Sequence, residues 1–108
     1  MAKKEIDRKI AVIFATDVVG YSQLMKNNEI GTLKSFRSCK KILEGLFKEH
    51  GGKIFNTAGD SVLAEFPSAV SAVVCAAEFQ KLIKKRNESD ETPIKMKFRV
   101  GVSMGDVV

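Results

Sequence analysis

Long apolar runs, cysteine pairs and internal repeats are all missing from this chain of 108 residues. No stretch approaches the ~20 apolar residues of a membrane-spanning helix, and the opening Met1-Ala2-Lys3-Lys4-Glu5 lacks the apolar core of a signal peptide. The setting expected from this is the cytoplasm, with no membrane contact. The two cysteines, Cys39 and Cys75, are too far apart for a metal-type or redox spacing. They fall inside helical patterns and read as reduced core thiols. Histidine occurs once, as His50 at a helix end, where the helix dipole favours its charged form and a structural role is expected. No low-complexity segment breaks the chain, so residues 1–108 read as one domain, long enough to bury a core without staples.

What is present is a globular composition, 44% hydrophobic and 29% charged, with a formal net charge of +5. Such a charge admits an anionic partner, and nucleotide phosphates satisfy it as well as nucleic acid does. The basic residues are scattered, however. Lys3, Lys4, Arg8 and Lys9 stand at the start, then Lys40 and Lys41, then Lys81, Lys84, Lys85 and Arg86, and they read as the solvated faces of helices.

The order of elements follows from periodicity. Residues 10–16 are rich in isoleucine and valine, as suits a strand buried on both faces. From Tyr21 the pattern turns helical, breaks at Asn27-Asn28, and resumes with Leu33, Phe36, Leu43, Leu46 and Phe47 near helical spacing until His50-Gly51-Gly52 stops it. Residues 53–57 and 61–66 flank Ala58-Gly59-Asp60, which gives a hairpin with a carboxylate at its tip. Ser68 caps a third helical stretch carrying Val70, Val73, Val74, Ala77 and Leu82, and a polar loop follows from Asn87 to Pro93. Ile94, Met96, Phe98, Val100 and Val102 then alternate with Lys95, Lys97, Arg99 and Gly101 as a half-exposed strand, which Gly105-Asp106 is expected to interrupt. The order β-α-β-β-α-β predicts an α+β fold of ferredoxin-like type, an antiparallel sheet with helices on one face. The chain stops at Val107-Val108 without a turn or charged tail, which reads as a domain truncated at its C-terminus.

In that topology the end of the first strand faces the beginning of the third. Asp17 ends the one and Asp60 begins the other. Taken singly, Asp17 reads as a helix cap and Asp60 as a turn residue. Taken together, on strands ~4.8 Å apart, they suit a pair of divalent ions ~3.5–4 Å apart, and hard oxygen ligands favour Mg²⁺ or Mn²⁺. The run from Ile10 to Ser22, a strand ending in Asp17 and turning through Gly20 into a helix, also sets free backbone N–H groups beside that carboxylate, an arrangement suited to a nucleoside triphosphate.

These residues resemble the class III adenylate and guanylate cyclases, particularly bacterial ones. The matching segments are Phe14 to Ser22, Gly51-Gly52-Lys53-Ile54, Thr57-Ala58-Gly59-Asp60, Glu65-Phe66-Pro67-Ser68-Ala69 and Phe98 to Asp106, in the family's order and over nearly all of the chain from Arg8 onward. The resemblance implies a homodimer with active sites at its interface and two metal ions on carboxylates matching Asp17 and Asp60, with the Val18 carbonyl a further ligand. It also implies that the backbone of Val19, Gly20, Tyr21 and Ser22 holds the β- and γ-phosphates; the Tyr21 side chain itself reads as packing under that turn. The implied reaction is attack of the ribose 3′-hydroxyl on the α-phosphate of ATP or GTP, giving a 3′,5′-cyclic nucleotide and pyrophosphate. Adenylate-specific members carry a base-contacting lysine four residues before the second aspartate; here that position is Asn56, which both donates and accepts hydrogen bonds and leaves ATP against GTP open. The family's other base-recognising residue and its transition-state Asn and Arg lie past the point matching Val108, so the chain by itself is expected to be a weak or inactive catalyst.

Other functions fit less well. RNA-recognition domains share the element order, but they stack bases on aromatics of their central strands, and residues 61–66 offer only Phe66, so no nucleic-acid partner is expected. A non-catalytic, regulatory or dimerising cyclase-like domain has no need of both Asp17 and Asp60, although Asn56 suits it. The Gly-Gly-Asp/Glu-Glu-Phe motif of diguanylate cyclases is absent.

Overall fold

The computed structural model describes residues 9–89 and 94–107. Lys3, Lys4, Arg8, the tip of the expected polar loop at 90–93 and Val108 lie outside the described residues. Seven elements follow one another: β1 (Lys9–Val18), α1 (Tyr21–Asn27), α2 (Glu29–His50), β2 (Lys53–Ala58), β3 (Ser61–Phe66), α3 (Ala69–Asn87) and β4 (Phe98–Val107). They form one sheet in the order β2-β3-β1-β4, with every neighbouring pair antiparallel. This is the α+β arrangement that the periodicities predict.

The sheet buries chiefly one face, with Ala11, 2% exposed, the exception on the other. Val12, Phe14, Thr16 and Val18 of β1 and Val62, Ala64 and Phe66 of β3 are buried, whereas the alternating Ile13, Ala15, Asp17, Ser61, Leu63 and Glu65 are half-buried. The reading of β1 as buried on both faces is therefore corrected. Its short apolar residues at 13 and 15 look like core, yet they stand on the face opposite the one that α2 and α3 cover. At the centre of the covered face Phe14 is fully buried, its ring 5.2 Å and edge-on from Phe47 and 5.5 Å from Phe66. Cys39 and Cys75 are buried, unbridged members of the same core. Burial raises both thiols, that of Cys75 to about 11 with Glu78 and Glu49 adding to the effect, so both stay neutral.

Local chemistry sets the helix ends. Asn28 caps α2 by accepting the Gly31 N–H at 2.9 Å, and Ser68 caps α3 by accepting the Ser71 N–H at 3.1 Å. Gly51 closes α2 in the left-handed conformation, φ 84°, and a Cβ on the adjoining Gly52 would meet the Phe66 ring at 2.6 Å, so the chain passes the core only as glycine there. His50 Nε2 lies 3.3 Å from a Glu78 carboxylate oxygen, which ties the end of α2 to α3 and gives the lone histidine the structural place expected of it.

β4 differs from its expected bounds at both ends. The segment 94–97 is not strand, because the Asn87 side chain takes the place of a ladder: its amide donates to the Met96 carbonyl at 2.7 Å and its oxygen accepts the Met96 N–H at 3.3 Å. At the other end Gly105 and Asp106 do not interrupt the strand, since β1 runs back to Lys9 and supplies Ala11 and Ile10 as their ladder partners. A continuing partner strand outweighs the weak intrinsic preference of glycine.

One irregularity in β2 was not legible. Ile54 pairs with Ala64 but Asn56 pairs with Leu63, so Phe55 is an extra residue, a bulge. Two residues apart, Ile54 and Asn56 would share a face in a regular strand. The bulge puts Ile54 on the covered side with Ala64 and Asn56 on the open side with Leu63.

Candidate active site

The open side of the sheet is where the singled-out polar residues collect. Asp17 is the last but one residue of β1. Asp60 sits in the two-residue turn between β2 and β3, where Gly59 takes φ 58°, the positive value that this kind of hairpin turn needs at its first central residue. That turn leaves the Asp60 carboxylate free to reach β1, and Oδ2 accepts the Val18 N–H at 2.9 Å. The two carboxylates thus meet at one strand end, one from residue 17 itself and the other bound to the backbone of the next residue. Two carboxylates with the Val18 carbonyl are hard oxygen donors, a set that fits Mg²⁺ or Mn²⁺.

A third charged group completes the cluster, and sequence reasoning missed it. Arg99 stands directly opposite Asp17 in the β1–β4 ladder. Its Nε donates to Oδ1 at 2.9 Å and its Nη2 to Oδ2 at 3.0 Å, a bidentate fork. The hydrogen bonds and charge of Asp17, with a smaller contribution from Asp60, hold the guanidinium proton even more firmly than usual. Thr16 Oγ1 donates to the Arg99 carbonyl at 2.7 Å and so fixes the backbone from which the side chain springs. The alternation of residues 94–102 placed Arg99 on a strand, but only the β1–β4 register, which no local pattern encodes, makes Asp17 its partner.

Asp17, Arg99 and Ser61 edge a hollow of about 220 Å³ whose floor is Ala15, Leu63 and Gly101. Larger hollows of about 610 and 670 Å³ occur elsewhere, but neither is lined by Asp17 or Asp60. Asn56 is exposed on the same open face, opposite Leu63 on the outer strand β2.

The turn after β1 departs from expectation at one atom. The Val19 N–H donates to the Lys97 carbonyl at 2.8 Å, so it is engaged in holding the segment before β4 and is not a free phosphate donor. Gly20 enters α1 in the left-handed conformation, φ 68°, with no side-chain cap, which leaves the N–H groups of Tyr21 and Ser22 among those without an intrahelical partner. The Tyr21 ring packs on Phe36, centroids 6.1 Å apart.

No protein-family model matches the chain. It is 42% identical over 109 residues to the putative adenylate cyclase 3 of Rhizobium meliloti, a match that spans 100% of this chain and 19% of that protein. Among solved structures, an adenylate/guanylate cyclase/hydrolase from Silicibacter pomeroyi shares 33% identity and superposes with a TM-score of 0.81 over 93% of this chain and 59% of that one. The chain belongs to the class III nucleotide cyclase family. A bacterial light-regulated adenylyl cyclase, 19% identical, has the same fold at a TM-score of 0.87, over 95% of this chain and 57% of that one. This cyclase domain spans a quarter or less of the length of the curated relatives it matches. Among the described residues no helix is long and apolar enough to cross a membrane.

Proposed function

We propose that this domain cyclises a purine nucleoside triphosphate, ATP or GTP, to the 3′,5′-cyclic nucleotide and pyrophosphate, with Asp17, Asp60 and the Val18 carbonyl as ligands of two Mg²⁺ or Mn²⁺ ions and a homodimer as the active form. The observation that carries the reading is the Asp60–Val18 hydrogen bond, which holds the second carboxylate at the strand end that bears the first. Bound there, the ions supply charge neutralisation on the triphosphate and activation of the attacking oxygen. The chain's own residues supply position. Asp60 is fixed by a backbone amide, Asp17 by its place in the ladder, and the N–H groups of Tyr21 and Ser22, left without an intrahelical partner at the uncapped start of α1, are the ones this reading assigns to the phosphates. Asn56 stands on the open face where it offers both a donor and an acceptor to a base. The setting that goes with this reading is the cytoplasm.

The test is product formation from ATP and from GTP with Mn²⁺, by this chain alone and by the longer protein read through its natural frame. Turnover is expected from the longer protein and little from the chain alone; no product from either refutes the catalytic reading and leaves a regulatory or dimerising domain. In the active form, Asn56→Lys is expected to raise the ratio of ATP to GTP turnover about tenfold, because a fixed ammonium donor favours the acceptor edge of adenine and one polar contact is worth roughly 1–1.5 kcal/mol. An unchanged ratio removes Asn56 from base recognition.

A further inference from the structure

Asp17 is placed as a metal ligand, yet both of its carboxylate oxygens are engaged by one guanidinium. We propose that Arg99 is an internal counter-ion that occupies Asp17 in place of a divalent cation, so that loading of the site requires the Arg99 side chain to swing away. This inference rests on the metal reading of Asp17 and Asp60 and adds to it a residue that sets how readily the ion enters.

Four features of the site carry it. The pairing is a fork, two parallel bonds at 2.9 and 3.0 Å, which engages both oxygens at once. Asp60 is not held in this way; its Oδ2 is held by the Val18 amide and stays in place whichever cation is present. The Arg99 backbone is pinned by Thr16 while its side chain is 69% exposed, so the guanidinium can move without disturbing the strand that bears it. Among the described residues β4 is an edge strand, with no further strand on its outer side.

Arginine stays charged at every accessible pH, and the two neighbouring carboxylates strengthen its hold on the proton, so the guanidinium leaves Asp17 by rotation and not by deprotonation. A divalent ion between Asp17 and Asp60 stands beside that fixed positive charge and is repelled by it for as long as the fork is closed. The fork is therefore a selector by charge: a monovalent cation offers Asp17 no more than the guanidinium does, whereas a divalent one displaces it.

The test is Mn²⁺ binding to the 108-residue chain, free Mn²⁺ being read by its electron paramagnetic resonance signal without any nucleotide. Arg99→Met, which keeps the length and removes the charge, is expected to tighten Mn²⁺ binding about five- to tenfold, in keeping with an exposed but bidentate pair and the loss of a repelling charge. Arg99→Lys, which keeps the charge and loses the fork, is expected to fall between the two. Unchanged or weaker Mn²⁺ binding in Arg99→Met overturns the counter-ion role. If Asp60→Asn fails to weaken Mn²⁺ binding, the metal reading itself falls and takes the counter-ion role with it.

Discussion

Changing Asp17 or Asp60 to asparagine is expected to cut cyclic-nucleotide formation by at least about a hundredfold while leaving the domain folded, a loss on the scale of removing a preorganised charge stabiliser. The fold should survive because neither carboxylate is a pillar of the core. Asp17 is 36% exposed and its Arg99 partner more so, and an ion pair this open to solvent contributes little to stability. At position 60 the amide oxygen of asparagine can still accept the Val18 N–H, so the hydrogen bond that binds the turn to β1 persists. What asparagine cannot supply is the negative charge. Measuring kcat with Mn²⁺ beside a urea unfolding curve separates the two effects; undiminished turnover in both variants removes the two-carboxylate assignment.

Phe14→Ala is expected to destabilise the domain by about 3–5 kcal/mol, a large part of the 5–15 kcal/mol that holds a typical domain together. Its ring is fully buried, edge-on to Phe47 and tilted against Phe66, so one ring joins α2 to both central strands of the sheet. Truncation leaves a cavity between elements that are far apart in sequence, and the rings around it are too rigid to fill it. The urea midpoint should fall accordingly, or the variant should fail to fold at all. A shift under about 1 kcal/mol would show that the aromatic cluster repacks.

How much of this was legible in the sequence depended on whether the cause was local. The cap at Ser68 and the glycine stop at Gly51 are decided within four residues of themselves, and the sequence reading placed both; Asn28 was read only as a break, and the structure shows it capping α2. The element order was equally readable, since Leu43, Phe47 and their neighbours repeat at helical spacing while Val100 and Val102 alternate. The failures are mostly decided by a partner outside the local pattern. β4 continues through Gly105 because Ala11 lies opposite, and it starts late because Asn87 captures Met96. Val19 lost its free N–H to Lys97, and Asp17 gained Arg99, both from segments some eighty residues away. The meeting of Asp17 and Asp60 was readable only through the topology: it needed the antiparallel β1–β3 pair, which the element order implied. The bulge at Phe55 left no mark on composition or period, and so the face on which Asn56 stands was unknown until the register was seen.

That bulge bears on how such a domain can change over generations. Ile54 and Asn56 are near neighbours in the chain, both exposed, but one lies on the helix-covered side of the sheet with Ala64 and the other on the open side with Leu63. A codon change at Asn56 therefore meets no packing constraint from the core. Lineages carrying this bulge are free to vary that position without first acquiring compensating substitutions in α2 or β3. The extra residue uncouples the two halves of β2, so that substitution on one side of the sheet need not follow substitution on the other.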